Sequence, residues 1–452
     1  MSLTDAVLSG AAPDELARAP LPDSFTAAHL RVEDENIFAG TESADKDVRR
    51  SLHVGQVPTP ELAPDEVLVA VMASSVNYNT VWSAKFEPLS TFRFLRSYAR
   101  HGGWAARHDQ PFHVLGSDGS GVVVRVGTGV RHWRIGDHVL INAARVDDQE
   151  PANQADGMLG EHQLAWGYET NYGGLAHYAV ARASQLIPKP PHLTWEEAAT
   201  VPACAGTAYR MLVSDRGARM KQGDVVLIWG ASGGLGAYAA QLVRNGGGIA
   251  VGVVSSEEKA EAARKLGCDA VVNRREIGIE DAGGDPELTL KAGKRLGRLV
   301  RDAVGADPDI VFEHVGQSTF GISVFVVKRG GTVVTCGSST GYHHTFDNRY
   351  LWMRLKRVVG SHVANLQEQV ECARLFTLGG IVPALSSLFP LAEVGEATRL
   401  VQLNRHIGKV GVLCLAPAPG LGVTAPDLRA RIGEDALNPL RQFATGPATA
   451  VG

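Results

Sequence analysis

The sequence is poor in cysteine, with five in 452 residues. Cys204, Cys268, Cys336, Cys372 and Cys414 are scattered, and the nearest two, Cys336 and Cys372, lie 36 positions apart. No Cys-x-x-Cys pair exists, which argues against a zinc ribbon and against a disulfide framework. Buried thiols in a reducing cytoplasm are expected instead. An excess of charge is also missing. The formal net charge of −4 is too weak to draw in nucleic acid or an anionic membrane, so neither is expected as a partner. No stretch approaches the roughly 18 uninterrupted apolar residues of a membrane span. Residues 1–20 have no basic start and no sustained apolar core, so no signal peptide is expected.

What is present is an ordinary globular composition, 44% hydrophobic and 20% charged. At roughly 100–200 residues per domain, the length suggests two or three domains. Residues 1–50 mix polar with Ala- and Pro-rich sequence and carry helix-like pieces. Residues 66–72 read as a strand, and 119–126 and 137–140 are short β-branched runs between Gly turns, which predicts a small β-rich unit. Residues 142–169 form a long polar connection ending in Trp-Gly-Tyr-Glu at 166–169, and long connections of this kind are often functional. After residue 193 the texture changes. Thr194 and Glu197 have capping-box spacing. Short β-like runs at 224–229, 249–254, 270–272, 309–313 and 332–336 alternate with helix-like segments, which predicts an α/β domain with a doubly wound parallel sheet. A shorter series from 378 leads to 410–415. Residues 416–452 read as a loosely ordered tail with one amphipathic piece over 427–442.

The strand Val-Val-Leu-Ile-Trp at 225–229 runs into Gly-Ala-Ser-Gly-Gly-Leu-Gly at 230–236, then into a helix. Glycines in that context let the backbone approach a pyrophosphate, which sits on the helix N-terminus. Gly230, Ser232, Gly233, Gly234, Leu235 and Gly236 are therefore candidate dinucleotide ligands. A carboxylate at the end of the next strand would hold a ribose 2′-hydroxyl and repel a 2′-phosphate. The chain instead offers Ser255, Ser256 and Lys259, with Arg274 and Arg275 after the following strand. That set favours NADPH over NADH. Glu257 and Glu258 read as first-turn acids of a helix facing solvent.

The order of these pieces resembles the medium-chain dehydrogenase/reductase superfamily. Gly-Ser-Asp-Gly-Ser-Gly at 116–121, Gly-Gly-Leu-Ala at 173–176, the turn at 230–236 and Gly-Lys-Val-Gly at 408–411 carry the likeness. It implies a GroES-like β-rich catalytic domain (1–205 and 360–452, with an N-terminal extension and the tail) and a Rossmann domain at 206–359. The Cys and Gly-His-Glu stretches that hold zinc in alcohol dehydrogenases are absent, so no metal is expected. Three further segments resemble crotonyl-CoA carboxylase/reductases: Ser-Val-Asn-Tyr-Asn-Thr-Val-Trp at 75–82, Trp-Gly-Tyr-Glu-Thr-Asn-Tyr-Gly-Gly at 166–174, and 347–365. The resemblance spans roughly residues 25–415.

That resemblance implies an NADPH-dependent enzyme. Hydride goes to the β-carbon of a 2-enoyl-CoA, and the resulting enolate attacks carbon dioxide to give an alkylmalonyl-CoA. It assigns Asn79, Tyr168, Glu169 and His362 to catalysis: the Asn79 amide and a Tyr168 backbone N–H as donors, Glu169 and His362 as holders of one ordered water. His314 and Cys336 join the cofactor ligands. Lys328, Arg329, Arg349 and Tyr350 are expected to take coenzyme A, and Val363, in place of a bulkier residue, to admit an acyl chain longer than crotonyl. Asn77 competes with Asn79 as the amide. A homodimer or homotetramer in the cytoplasm is expected. The competing readings are an enoyl-CoA or quinone reductase that does not carboxylate, and an inactive reductase fold serving as a binding subunit.

Overall fold

The computed structural model describes residues 1–279 and 285–444. The chain divides into two compact units. The first holds residues 1–203, 364–377 and 385 onward; the second holds Cys204–Val363 and Leu378–Ala384. The sequence-based division set the second crossing at 359/360, whereas the contacts put it after Val363. His362 and Val363 thus lie in the second unit, and a further excursion, Leu378–Ala384, returns to it.

The first unit is built mainly on antiparallel strands, with one parallel pair, Leu385–Pro390 and Lys409–Leu413. Glu66–Val76 is its central strand and every residue of it is buried, as expected of a Val-rich run covered on both faces. It pairs with Ser120–Val126, Tyr178–Arg182 and Lys409–Leu413 in a seven-stranded sheet. A three-stranded sheet of His53–Pro58, Ser24–Arg31 and Phe112–Val114 includes one strand, Ser24–Arg31, in the stretch 1–50 where the sequence reading expected only helix-like pieces. The polar connection at 142–169 is made of short pieces, including the two-residue pair Ala144–Arg145 with Leu164–Ala165.

The expected loose tail is instead anchored through residue 443. Arg429 makes a bidentate pair with Glu197, at 2.7 and 3.0 Å, in the helix Trp195–Ala198. Gly420 donates its N–H to Glu196, and Leu437 and Leu440 are fully buried. The amphipathic piece is two short helices, Pro426–Ile432 and Glu434–Leu437. Residues 445–452 lie outside the described residues. Thr194 caps its helix as expected, with Glu197 reaching back to the Thr194 N–H at 3.0 Å.

Among the described residues the second unit contains one six-stranded parallel sheet. Its order runs Ala270–Asn273, Ile249–Val254, Val225–Trp229, Ile310–Glu313, Thr332–Thr335, Arg357–Gly360. The central strand comes first in sequence, so the connections wind outward in both directions from Val225–Trp229. The topological switch point therefore falls at that strand's C-terminal end, where nucleotides bind in such sheets. The outermost strand, Arg357–Gly360, was not anticipated because its side chains are mostly exposed and show no β-like alternation.

Candidate active site

In the second unit, Val225–Trp229 ends in Gly230 at φ +59° and the helix Gly234–Asn245 begins four residues later. A side chain on Gly236 would fall on the Gly230 carbonyl, so the helix starts flush against the strand end. Ser232 is buried, while Gly233, Gly234 and Leu235 keep surface. The His314 ring lies 3.3 Å from where a Gly230 side chain would begin, and its Nε2 donates to the Trp229 carbonyl at 2.8 Å. Burial lowers the His314 pKa, so the ring is neutral with its proton on Nε2. Burial likewise pushes the Cys336 thiol up to about 12, which leaves it a neutral wall residue. One strand over, Ser256 caps the helix Glu257–Lys265 and accepts the Lys259 N–H. Desolvation, then the nearby charge of Arg274, lower the Lys259 pKa. Two cations close enough for one to shift the other are suited to a phosphate. These residues fit a dinucleotide with a 2′-phosphate.

The same unit carries a cavity of about 360 Å³ lined by Lys294, Arg298, Arg301, Lys328, Arg329, Arg354 and Lys356, with Asp307 as its single carboxylate. Tyr350 also lines it, its ring edge-on to Phe325 at 4.8 Å. Three of the four residues assigned to coenzyme A are thereby brought together. Arg349 is not: it is exposed and pairs with Asp347 at 2.6 Å, away from the groove lining. Lys294, Arg298 and Arg301 were missed by sequence reasoning. Their i, i+4, i+7 spacing on the helix Pro286–Val304 puts them on one face, and that signal was available. Lys356 is held in place by the Val324 and Phe325 carbonyls at 2.8 Å, and desolvation brings its pKa down to about 8.

The first unit holds Asn79, Tyr168 and Glu169. Asn79 sits in the first turn of the helix Tyr78–Lys85 and keeps some exposure. Its Nδ2 donates to Ser117 Oγ at 2.8 Å. The competing Asn77 is committed elsewhere. Its Nδ2 donates to Asp118 at 2.7 Å, and its Oδ1 accepts from Lys409 at 2.6 Å. Asp118 and Lys409 form a buried ion pair at 3.0 Å. Ser75 and the Ala203 N–H also donate to Asp118, so its charge is well satisfied.

Residues 116–118 are a backbone platform for the turn that carries Glu169. A side chain at Gly167 or Gly173 would meet the Gly116 carbonyl, and one at Gly174 would meet that of Asp118. The two segments are therefore in main-chain contact. Trp166 is buried and anchors the turn through Nε1 to the Val180 carbonyl at 2.9 Å. Tyr168 packs its ring on Phe94 at 5.6 Å. Its N–H already donates to the Ala165 carbonyl at 3.2 Å, an acceptor shared with the Glu169 N–H at 2.8 Å. The expectation of a spare Tyr168 N–H is thus reduced to a long, shareable one. Glu169 Oε2 accepts the Ala165 N–H at 2.7 Å, and no cation pairs with it among the described residues. Burial raises its pKa, partly offset by that N–H. Its side chain faces a cavity of about 500 Å³ whose other walls include Phe94, Tyr98, Trp104 and Arg145.

His362 stands in the second unit. The residue is exposed, yet desolvation by the surrounding chain and then the charge of Arg210 lower the pKa of its ring, so it is neutral at pH 7. Val363 follows at φ +47°, a left-handed conformation rare for a β-branched residue.

The alcohol dehydrogenase GroES-like domain family matches residues 63–191, and the zinc-binding dehydrogenase family matches residues 234–377. The second family's description implies a metal that these residues do not fit. No group of three or more His, Cys, Asp or Glu is arranged as a ligand set among the described residues. A crotonyl-CoA reductase of Streptomyces collinus is 50% identical over 97% of this chain and 98% of its own length. A crotonyl-CoA carboxylase/reductase of Cereibacter sphaeroides is 40% identical over 84% of this chain and 88% of its own. Among solved structures, the 2-octenoyl-CoA carboxylase reductase CinF in complex with NADP and 2-octenoyl-CoA superposes with a TM-score of 0.96. It is 66% identical, covering 98% of this chain and 99% of that one. The crotonyl-CoA carboxylase/reductase AntE in complex with NADP gives 0.78 at 37% identity, covering 90% and 98%. With half of its residues identical to a full-length relative and the same two-part fold, the chain belongs to the crotonyl-CoA carboxylase/reductase family of the medium-chain dehydrogenases/reductases.

Proposed function

We propose that this protein catalyses NADPH-dependent reductive carboxylation of a 2-enoyl-CoA to an alkylmalonyl-CoA. The observation that carries the carboxylation half is the convergence of the Asn79 amide and the Glu169 turn on the 116–118 platform. Bound NADPH supplies hydride to the β-carbon of the thioester. The turn at 230–236 holds its pyrophosphate, and Ser255, Lys259 and Arg274 its 2′-phosphate. An enolate at the α-carbon has two fates, protonation by water or attack on carbon dioxide. Carbon dioxide is neutral and has weak acceptor oxygens, so a fixed amide N–H suits it better than a cation that gathers water. Asn79 Nδ2 is that donor. A preorganised donor aimed at developing carboxylate charge contributes about 3–4 kcal/mol. Glu169, ion-paired with no cation among the described residues, orders one water and keeps its protons from the enolate. His362, neutral at pH 7, is assigned the second contact to that water, and the Tyr168 N–H a supplementary one.

The basic groove takes the phosphates of coenzyme A, with Tyr350 against the adenine and Arg guanidinium groups holding phosphate in pairs of bonds. Val363 leaves room for an acyl chain longer than crotonyl, and the 66% identity to a 2-octenoyl-CoA enzyme supports that choice. A second copy of this chain is the proposed partner. The outer strand Arg357–Gly360, whose free edge has no partner strand among the described residues, exposes Val358, and Trp352, Met353 and Leu355 lie exposed just before it, an apolar edge suited to pairing in a homodimer or dimer-based tetramer. Five cysteines outside any disulfide favour a cytoplasmic setting.

One assay tests the reaction. Protein, NADPH and 2-octenoyl-CoA are mixed with and without bicarbonate, and NADPH absorbance and product mass are followed. A gain of one carboxyl group only with bicarbonate is expected. Saturated product in both cases would leave a simple reductase, and no NADPH oxidation would leave a binding subunit. Strong preference for crotonyl-CoA over 2-octenoyl-CoA would sink the chain-length proposal.

A further inference from the structure

Ser117 is 2% exposed and lies between the two halves of the first unit's site. Its Oγ donates to the Trp166 carbonyl at 2.7 Å and receives the Asn79 Nδ2 at 2.8 Å. A hydroxyl has one proton, and a carbonyl can only accept. The Ser117 proton is therefore spent on Trp166, and only a lone pair faces Asn79. That pair can be met by the amide nitrogen but not by the amide oxygen. The chemistry of one buried hydroxyl thus decides which way the Asn79 amide is turned. The same hydroxyl holds the carbonyl that immediately precedes Gly167, Tyr168 and Glu169.

We infer that Ser117 is a positioning residue for carboxylation: it fixes the flip of the Asn79 amide and ties that amide to the turn bearing Glu169. The inference rests on the proposed role of Asn79 in carbon dioxide capture. It assigns Ser117 no contact with substrate. Without the hydroxyl, Asn79 is free to turn its oxygen towards the reaction. An acceptor there repels the forming carboxylate, while hydride transfer is untouched.

The test compares the parent with Ser117→Ala, Ser117→Cys, Asn79→Ala and the double variant Asn79→Ala/Ser117→Ala. Ser83→Ala is the control: Ser83 lies on the same helix as Asn79, and its buried Oγ makes no hydrogen bond. NADPH oxidation, the ratio of carboxylated to saturated product and the KM for bicarbonate are measured. Ser117→Ala is expected to keep NADPH oxidation within about threefold, to lower the product ratio about tenfold and to raise the bicarbonate KM, because a lost preorganised donor acts on that step alone. Placed on Asn79→Ala it should change the ratio no further, as expected of a residue acting through another. Ser83→Ala should match the parent. If Ser117→Ala does not fold, Ser117→Cys, with a similar shape and a weaker donor, carries the same comparison. An unchanged ratio and KM, or additive effects in the double variant, would overturn the inference while leaving carboxylation intact. A parent that never carboxylates would overturn both.

Discussion

The dinucleotide turn of the second unit and the Asn79–Glu169 region of the first solve the same problem differently. The turn is made by backbone: consecutive glycines let a helix start against a strand end, and every ligand group lies within about one turn of the next. The Asn79–Glu169 region is made by side chains ninety positions apart, joined through Ser117 and steadied by a buried Asp118–Lys409 pair. A site of the first kind announces itself in a short stretch of sequence. A site of the second kind depends on residues that look structural until their partners are known.

Four measurements would break or sharpen that contrast. The largest effect is expected for Lys409→Met, which strands the Asp118 carboxylate without its cation. Breaking one side of a buried pair costs about 3–5 kcal/mol. Unfolding in urea should show the loss in the first unit, and Asp118→Asn should recover part of it; a loss under about 1 kcal/mol would remove the pair from the account. Next comes Gly236→Ala, which presses a methyl on the Gly230 carbonyl. Overpacking of this kind costs about 1–3 kcal/mol, and NADPH affinity, read by cofactor fluorescence, should fall about tenfold or more. Unaltered affinity would mean the turn tolerates side chains after all. Third, Arg298→Ala should raise the KM for the enoyl-CoA about tenfold, a charge-assisted phosphate contact being worth about 1.5 kcal/mol, whereas Arg349→Ala should change it less than about twofold. The reverse order would move the coenzyme site to the Asp347–Arg349 surface.

The smallest effect concerns pH. Burial raises the Glu169 pKa, so the neutral carboxyl is the form favoured by folding. Its stabilisation is complete below the ordinary glutamate value and is lost as pH rises through the folded-state value. Glu169→Gln keeps a neutral group throughout. Its Tm should exceed the parent's at about pH 8 and match it at about pH 4. An equal difference at both would place the effect in packing.

Legibility followed the same division. The parallel sheet was readable from its β-branched runs and the Thr194–Glu197 cap from its spacing, because both are local. Asn79, Tyr168 and Glu169 could be singled out only by family resemblance, since nothing near Asn79 distinguishes it from Asn77. What separates them is a contact with Asp118, some forty residues along the chain. The strand at 53–58 was hidden because most of it faces solvent, and the largely buried strand at 24–31 because Thr26 is its one β-branched residue. The anchored tail was hidden because Arg429 finds its partner more than two hundred residues back. Arg349 drew attention by its basic neighbours, but a local pair with Asp347 consumes it.

The main-chain contact between residues 116–118 and 167–174 has a consequence for how this enzyme can change. Gly116, Gly167, Gly173 and Gly174 are closed to every other amino acid, so a path to a new substrate or a new ratio of products cannot pass through them. It is confined to the side chains mounted around that rigid seam. An engineer who randomises the loop as a block will spend most of a library on chains that cannot close, and one who leaves the glycines alone and varies positions 79 and 168 will be searching where the fold permits an answer.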